Sequence, residues 1–396
     1  MSVMETKPGK IDHLLSRNVE TVIEKEHLWK ALESGRKLRV KLGIDPTSPD
    51  LHLGHAVVLQ KLKEFQDLGH QAVLIIGDFT ARIGDPTGRS QVRKPLSETE
   101  IKANERAYLK QAGLVIDVKK AEVHHNSEWL LKEGVNGLFA LTAAGTMQQM
   151  LRRADFKERL AAGGDVTVTE LLYPLLQGYD SVKVKADVEL GGNDQLLNLL
   201  AGRKVQRHFG MEEQDVLTAP LLEGLDGEKK MSKSYGNYIG LTDVPEDMFG
   251  KTMSLPDTLV EKYFLFCTGL SATEIESLKN ELGPKELKER LGFLLVSRYH
   301  GEKQARMAQE HFEKLFSKKE VPEDAPELKV SGSAISALDL VMASGAAKSK
   351  SDARRLIEQG GVELGSRILK NPQEMLTVNG GEVARIGKRR FFRLKI

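Results

Sequence analysis

Cysteine is almost missing from this chain. Cys267 stands alone among 396 residues, which excludes an internal disulfide framework and any cysteine-rich zinc site. It also makes the cytoplasm the default compartment. The thiol lies in the apolar run Tyr263-Phe264-Leu265-Phe266-Cys267 and reads as core, not as a nucleophile. Long apolar stretches are lacking too: none approaches the roughly 18 residues that suggest a membrane span. The first ten residues have no apolar segment after their charges, unlike a secretory signal. Net charge is only +2, so overall charge says nothing of nucleic acid, and no repeat or low-complexity tract is present.

What is present describes a soluble globular protein, with 40% hydrophobic and 29% charged residues. The length calls for two or three domains. Charge is unevenly spread. Residues 331–396 hold twelve Lys and Arg against six Asp and Glu, leaving 46 basic and 50 acidic groups elsewhere. A near-neutral body with a basic tail suits a phosphate-backbone partner.

Periodicity and turn chemistry order the chain. An amphipathic helix is predicted over 11–35, then a strand from Leu38 to Ile44. Pro46 and Pro49 hold their predecessors extended. Asp50 stands where an N-cap would, and a helix is expected from Leu51 to Gly69. Ala72 to Ile76 is a continuous apolar strand, as in a buried parallel sheet. Strand, helix and strand in this order indicate a doubly wound half, whose ligands bind at the carboxyl ends of strands. The glycine-punctuated loop from Gly77 to Arg89 leaves such an end.

Residues 97–178 read as a mostly helical insertion with one strand near Glu122 to His124. A helix from Thr167 to Tyr179 bears Tyr173, Gln177 and Asp180, whose spacings of four and seven share one face. A strand is expected over Lys183 to Leu190. Gly191-Gly192-Asn193-Asp194-Gln195 then opens a helix to about His208, and a last strand spans Val216 to Leu222. Residues 245–317 read as a helical domain and 318–330 as a linker with two prolines. Beyond Ser331 come helices over 338–344 and 351–358, then short strands.

Two stretches carry chemistry. His52-Leu53-Gly54-His55 begins a helix, where free backbone N–H groups, the positive dipole end and two imidazoles surround one patch: an anion site. Lys230-Met231-Ser232-Lys233-Ser234 follows the last strand of the sheet and looks like its partner. His70, His124 and His125 have no ligand spacing and read as structural.

H-L-G-H after the first strand, with K-M-S-K-S after the last, resembles the class I aminoacyl-tRNA synthetases. Nearly the whole chain is similar to the bacterial tyrosine-specific branch of that family. The match includes Tyr173-x-x-x-Gln177-x-x-Asp180, G-G-N-D-Q at 191–195, I-G-D-P-T-G at 83–88, and a terminal module like that of ribosomal small-subunit protein four. The resemblance implies an α/β fold: a Rossmann-like doubly wound parallel sheet with a helical insertion, an α-helical domain and a small α+β RNA-binding domain. It divides the chain into a catalytic domain at 1–240, a helical tRNA anticodon-side domain at 241–320, a linker at 321–332 and an RNA-binding domain at 333–396.

By the same resemblance, His52, His55, Lys230, Lys233 and Thr47 serve the ATP phosphates. Gly54 lets the adenine lie close, Asp194 takes the ribose, and Met231, Ser232 and Ser234 complete the ATP site. Asp180 accepts the tyrosine hydroxyl, a phenol that must find a partner when buried. Tyr173, Gln177 and Asp85, with Gln195, hold the amino-acid end. Lys41 stands where the better-known branch carries a tyrosine. It either pairs with Asp180, donates to the phenol, or faces elsewhere. Arg89 and Arg93 are pyrophosphate candidates, and Lys350, Arg354, Arg355, Lys388, Arg389 and Arg390, beside Phe391 and Phe392, are RNA candidates. The implied substrates are L-tyrosine, ATP with Mg²⁺, and tRNA(Tyr). A homodimer and no protein-held metal are expected. The reaction needs no protein nucleophile, because the substrate carboxylate attacks the α-phosphate and catalysis reduces to positioning plus preorganised positive charge. Other readings are a tryptophan-specific synthetase, a small-molecule nucleotidylyltransferase, and an RNA-binding protein on an inactive synthetase scaffold.

Overall fold

A computed structural model describes residues 8–87, 97–151, 153–316, 325–330, 332, 334–347, 349–365, 367–387 and 390–395. The chain divides into two compact units, Met1–Ala308 and Gln309–Ile396.

The first unit is built on a six-stranded sheet of β1 (Thr21–Ile23), β2 (Arg39–Ile44), β3 (Gln71–Ile76), β4 (Glu122–His125), β5 (Val188–Gly192) and β6 (Asp215–Ala219), ordered β1-β6-β5-β2-β3-β4. All neighbours are parallel except β1, which pairs antiparallel with β6. The strand order reverses between β2 and β5, the point at which doubly wound sheets open a crevice beyond their strand ends. Val40, Ala72 to Ile76, Val188, Leu190, Val216 and Leu217 are buried, as expected when helices cover both faces.

Three expectations change here. The helix predicted over 11–35 is helix Pro8–Ser16, strand β1 and helix Lys25–Glu33. Asn18 and Glu24 take left-handed backbone at φ 51° and 62°, which no helix continues through. Between them Thr21, Val22 and Ile23 find an edge of the sheet to pair with. The strand expected over Lys183 to Leu190 begins only at Val188, because helix Val168–Val184 runs on until Lys185 turns left-handed at φ 51°. The strand near Glu122 belongs to the sheet beside β3 rather than to an insertion. Its side chains are only half-buried, so this edge strand lacks the apolar run that marks a central one.

Helices from Pro245–Met253 to Pro284–His300 belong to the same unit as the sheet. Cys267 is buried in helix Asp257–Cys267, and burial pushes its thiol up to about 12.

The second unit has a five-stranded sheet. Its strands are β7 (Glu327–Lys329), β9 (Val362–Leu364), β10 (Arg367–Leu369), β12 (Val383–Ile386) and β13 (Arg390–Lys395), ordered β10-β9-β12-β13-β7; β8 (Ala334–Ser336) and β11 (Met375–Thr377) form a separate pair. Helices Ala337–Ala343 and Lys350–Glu358 close its core through Leu340, Val341, Ala353 and Ile357. The expected linker is therefore partly folded. Residues 327–329 pair in parallel with β13, and Leu328 and Val330 enter the core.

Candidate active site

The anion end of the site is assembled by pairing, not by one helix alone. Leu53 N–H donates to the Ile239 carbonyl (3.0 Å), Leu241 N–H donates to the Leu51 carbonyl (2.9 Å), and His52 bridges Gly240. These bonds lay the segment after Lys230–Ser234 alongside His52–His55. The helix runs Leu53–Asp67 with extended His52 as its N-cap, not Asp50. Hence some of the first-turn donors expected to be free are used: Leu53 N–H by Ile239, and His55 N–H by the His52 carbonyl at 2.9 Å.

The two imidazoles lie with centroids 3.8 Å apart. His52 N–H donates to His55 Nδ1 at 3.3 Å, which leaves the His55 proton on Nε2 as a donor. His52 Nδ1 is buried without a partner. Burial, then the charges of His55, Lys233 and Lys230, holds His52 down to about 2. Burial, then Lys233 and Lys230, holds His55 to about 4. Both rings are therefore neutral donors near pH 7, and the positive charge comes from the lysines. A Cβ on Gly54 would stand 3.1 Å from His52 ring atoms, so glycine lets that ring fold over the helix start.

The lysine loop is a hairpin closed by Met231 N–H to the Leu222 carbonyl (2.7 Å) and by the bridge Glu223–Lys230. Asn237 organises it, accepting from Ser232 N–H (2.8 Å) and donating to Asp226 (2.8 Å). It packs so close to Gly224 that a Cβ there would meet its Cγ at 2.2 Å. Ser232 Oγ accepts from Ser234 N–H (3.3 Å). Lys230 pairs with Asp194 (2.6 Å). Lys233 pairs with Asp50 (3.0 Å) and donates to Ser48 Oγ (3.2 Å). Partial burial lowers the Lys233 pKa, with Asp50 opposing.

At the amino-acid end, helix Val168–Val184 starts from a Thr167–Glu170 capping box and turns Tyr173, Gln177 and Asp180 toward the sheet. Asp180 accepts from Trp129 Nε1 (2.9 Å) and Asn126 Nδ2 (3.4 Å). Burial pushes its carboxyl up to about 7, opposed by the charge of Lys41 and these two donors. Tyr173 OH donates to Asp45 (2.8 Å), which also accepts from Thr80 Oγ1 (2.7 Å). Asp85 accepts from Thr87 Oγ1 (2.7 Å), Gln195 Nε2 (2.7 Å) and Asn198 Nδ2 (3.3 Å). Arg153 braces Asn198 (2.6 Å) and Thr87 (3.0 Å).

Of the three readings open for Lys41, the structure has it facing elsewhere. It is fully buried, pairs with Glu189 at 2.9 Å and stands outside the cavity lining, acting on Asp180 through its charge. The parallel register sets Lys41 beside Glu189, and the carboxylate is the nearer counter-charge. Asp45, Asp50, Trp129, Asn126, Asn198 and Glu189 were not expected from the sequence. Trp129, Asn126 and Glu189 act as single side chains from distant segments, and Asp45, Asp50 and Asn198, though close in sequence to expected residues, meet their partners only through the fold.

One cavity of about 350 Å³ joins the two ends at the tips of β2 and β5. His52, Gly54, His55, Thr47, Lys230, Met231, Ser232 and Asp194 line one side, and Asp85, Tyr173, Gln177, Asp180 and Gln195 the other. Lys233 and Ser234 are not among its lining residues. Gly88, Arg89 and Arg93 fall outside the described residues.

The family profile described as tRNA synthetases class I (W and Y) matches residues 33–317. The tyrosine–tRNA ligase of Aquifex aeolicus is 48% identical over 96% of this chain and 97% of its own length. That of Thermotoga maritima is 47% identical over 96% of each. The chain belongs to the tyrosine–tRNA ligase family. Solved synthetase structures share its fold. A C-terminally truncated mitochondrial tyrosyl-tRNA synthetase of Aspergillus nidulans superposes with TM-score 0.65 over 78% of this chain and 95% of that one, at 22% identity. The tyrosyl-tRNA synthetase of Archaeoglobus fulgidus complexed with L-tyrosine gives 0.61 over 76% and 99%, at 24%. As a member of this family, the chain also matches an S4 domain at residues 338–381.

In that second unit, Lys350, Arg354 and Arg355 are exposed on helix Lys350–Glu358, with Arg355 3.2 Å from Asp352. Arg390 is exposed and donates to the Gly345 carbonyl at 3.1 Å. Lys388 and Arg389 lie outside the described residues. Phe391 is buried, and Phe392 is half-buried against the core. His125 bonds Glu105 (2.7 Å), His124 lies 3.3 Å from Glu122, and His70 accepts from Leu38 N–H (3.2 Å). Among the described residues no helix is long and apolar enough to cross a membrane, and no group of three or more His, Cys, Asp or Glu is placed to hold a metal.

Proposed function

We propose that this site makes tyrosyl-adenylate and then tyrosyl-tRNA(Tyr). The observation that carries the reading is the single cavity with a buried acceptor, Asp180, at one end and Lys230 beside a helix N-terminus at the other. L-tyrosine extends between them, its phenol donating to Asp180 and its ammonium group near Gln177, Tyr173 and Asp85. A carboxylate oxygen of tyrosine attacks the α-phosphorus of ATP, the bond to the bridging oxygen breaks, and pyrophosphate leaves. Lys230 and Lys233 exchange their carboxylate partners for the phosphates and meet the charge that develops there. His52 and His55 add neutral N–H donors, Gly54 and Met231 flank the adenine, Asp194 holds the ribose, and Thr47, Ser232 and Ser234 complete the phosphate side. ATP enters as its Mg²⁺ complex.

In the second step the terminal ribose hydroxyl of the tRNA attacks the adenylate carbonyl. The bond from the carbonyl carbon to the phosphate oxygen breaks, AMP leaves, and the hydroxyl proton passes to the departing phosphate. Residues 1–240 serve as catalytic domain, 241–320 face the anticodon side, and 333–396 bind RNA through Lys350, Arg354, Arg355, Lys388, Arg389 and Arg390. The basic excess of that segment supports this role. The enzyme works in the cytoplasm as a homodimer. Tyrosine-dependent ATP–pyrophosphate exchange tests the reading. Exchange stimulated by tryptophan and not tyrosine, or no exchange with either, would overturn it.

A further inference from the structure

Behind the amino-acid end of the cavity lies a closed polar cluster that the reaction as described does not use. Lys41 on β2 and Glu189 on β5 are neighbours in register, and both side chains have 0% exposure. The Lys41 ammonium makes three contacts: Glu189 Oε1 at 2.9 Å, the Gln177 carbonyl at 2.8 Å and Ser181 Oγ at 2.8 Å. Three donors meet three acceptors. Glu189 is equally saturated. Its Oε1 also accepts from Gln177 Nε2 (3.1 Å), and its Oε2 accepts from Ser181 Oγ (3.2 Å) and from Gln214 Nε2.

This arrangement decides which way the Gln177 amide points. An ionised carboxylate can only accept, so Glu189 must take the NH₂ end. The side-chain oxygen Oε1 of Gln177 is then the end left for the cavity that Gln177 lines. An oxygen suits a cationic ammonium group, whereas an NH₂ would oppose it. Lys41 meanwhile grips the main-chain carbonyl of Gln177 and Ser181 Oγ, one turn of helix that also carries Asp180. The acceptor for the ammonium and the acceptor for the phenol are therefore held at a set separation by one buried ion pair.

We propose that Lys41 and Glu189 are positioning residues for tyrosine recognition: Glu189 orients the Gln177 amide oxygen toward the substrate ammonium, and Lys41 fixes the Gln177–Ser181 turn. This deepens the tyrosine-activating reading and rests on it. Lys41 thus occupies a substrate-directed position without touching substrate.

Removing one charge alone leaves the other buried and unpaired, which endangers folding. The test therefore uses the neutral double variant Lys41→Met/Glu189→Gln, with folding checked by thermal unfolding, alongside Glu189→Gln and Gln177→Ala. A glutamine at 189 can donate to the Gln177 oxygen and release its amide to turn. In pyrophosphate exchange the folded double variant should show a tyrosine KM raised about tenfold or more, the scale of one lost hydrogen bond to a charged group, with ATP KM within twofold and kcat little changed. Adding Glu189→Gln to Gln177→Ala should raise tyrosine KM no further. Binding of 3-(4-hydroxyphenyl)propionate, which lacks the ammonium group, should be unaffected by Glu189→Gln. A tyrosine KM within twofold of wild type, an equal rise in ATP KM, or additive effects with Gln177→Ala would overturn the proposal. Absence of tyrosine-dependent exchange in the wild type would instead overturn the reading beneath it.

Discussion

Replacing Asp180 with alanine tests the chemistry of substrate choice directly. The carboxylate is 3% exposed, its outer oxygens are held by Trp129 and Asn126, and it borders the cavity. A hydrogen bond from the tyrosine phenol to such a charged acceptor contributes about 1.5–3 kcal/mol. Losing it lowers kcat/KM for tyrosine roughly 10- to 150-fold. Phenylalanine gains at the same time, because in the wild type its ring desolvates a buried carboxylate without offering it a donor, a penalty of about 1–3 kcal/mol. The ratio of kcat/KM values should thus fall by about two to four orders of magnitude. Pyrophosphate exchange with each amino acid in turn reads it out. A ratio within about threefold of wild type would refute the role of Asp180, since even the low end of the hydrogen-bond range exceeds that change. The pH profile supplies a second arm. Burial raises the Asp180 carboxyl to about 7, so protonation competes with phenol binding below that pH. Wild-type kcat/KM for tyrosine should fall as pH drops through 7, approaching tenfold per unit. The alanine variant should lose this inflection.

Lys230→Ala and Lys233→Ala should each slow adenylate formation about 10²- to 10³-fold, as for loss of one charge-stabilising donor, while tyrosine Kd stays within about twofold. Rapid-quench rates with equilibrium binding check this, and weakened tyrosine binding at an unchanged rate would contradict it. His52 and His55, held to about 2 and 4 chiefly by burial, should remain neutral from pH 5.5 to 8. An imidazole NMR titration assigned to either near its ordinary value of about 6.5 would show that the rings are not shielded as described. Deleting residues 331–396 should leave pyrophosphate exchange intact but raise tRNA KM by about tenfold or more and flatten its salt dependence, as expected when phosphate contacts are lost. An unchanged tRNA KM would show that the basic residues of this segment are incidental.

The local signals were legible where one segment carries its own pattern. The apolar run Ala72–Ile76 and the spacing of Tyr173, Gln177 and Asp180 along one helix depend on neighbours a few residues away. So did the α/β class, because alternating strands and helices with buried parallel strands leave few other arrangements. Asp50 shows where such reasoning stops. Its place before a helix suggested a cap, yet pairing of Leu51–Leu53 with Ile239–Leu241 shifts the helix start to Leu53 and frees Asp50 to meet Lys233.

Tertiary structure also decided the charge states and the partners. The sequence shows two histidines but not that burial keeps them neutral, and an aspartate but not that it sits near its own ionisation at pH 7. Lys41 is the sharpest case. Its identity and its distance from His52 are matters of sequence, whereas its role follows from Glu189, 148 positions later, standing beside it in the sheet. Electrostatics depends on distance and desolvation in space. A chain of letters specifies the groups, and only the folded register determines which of them meet.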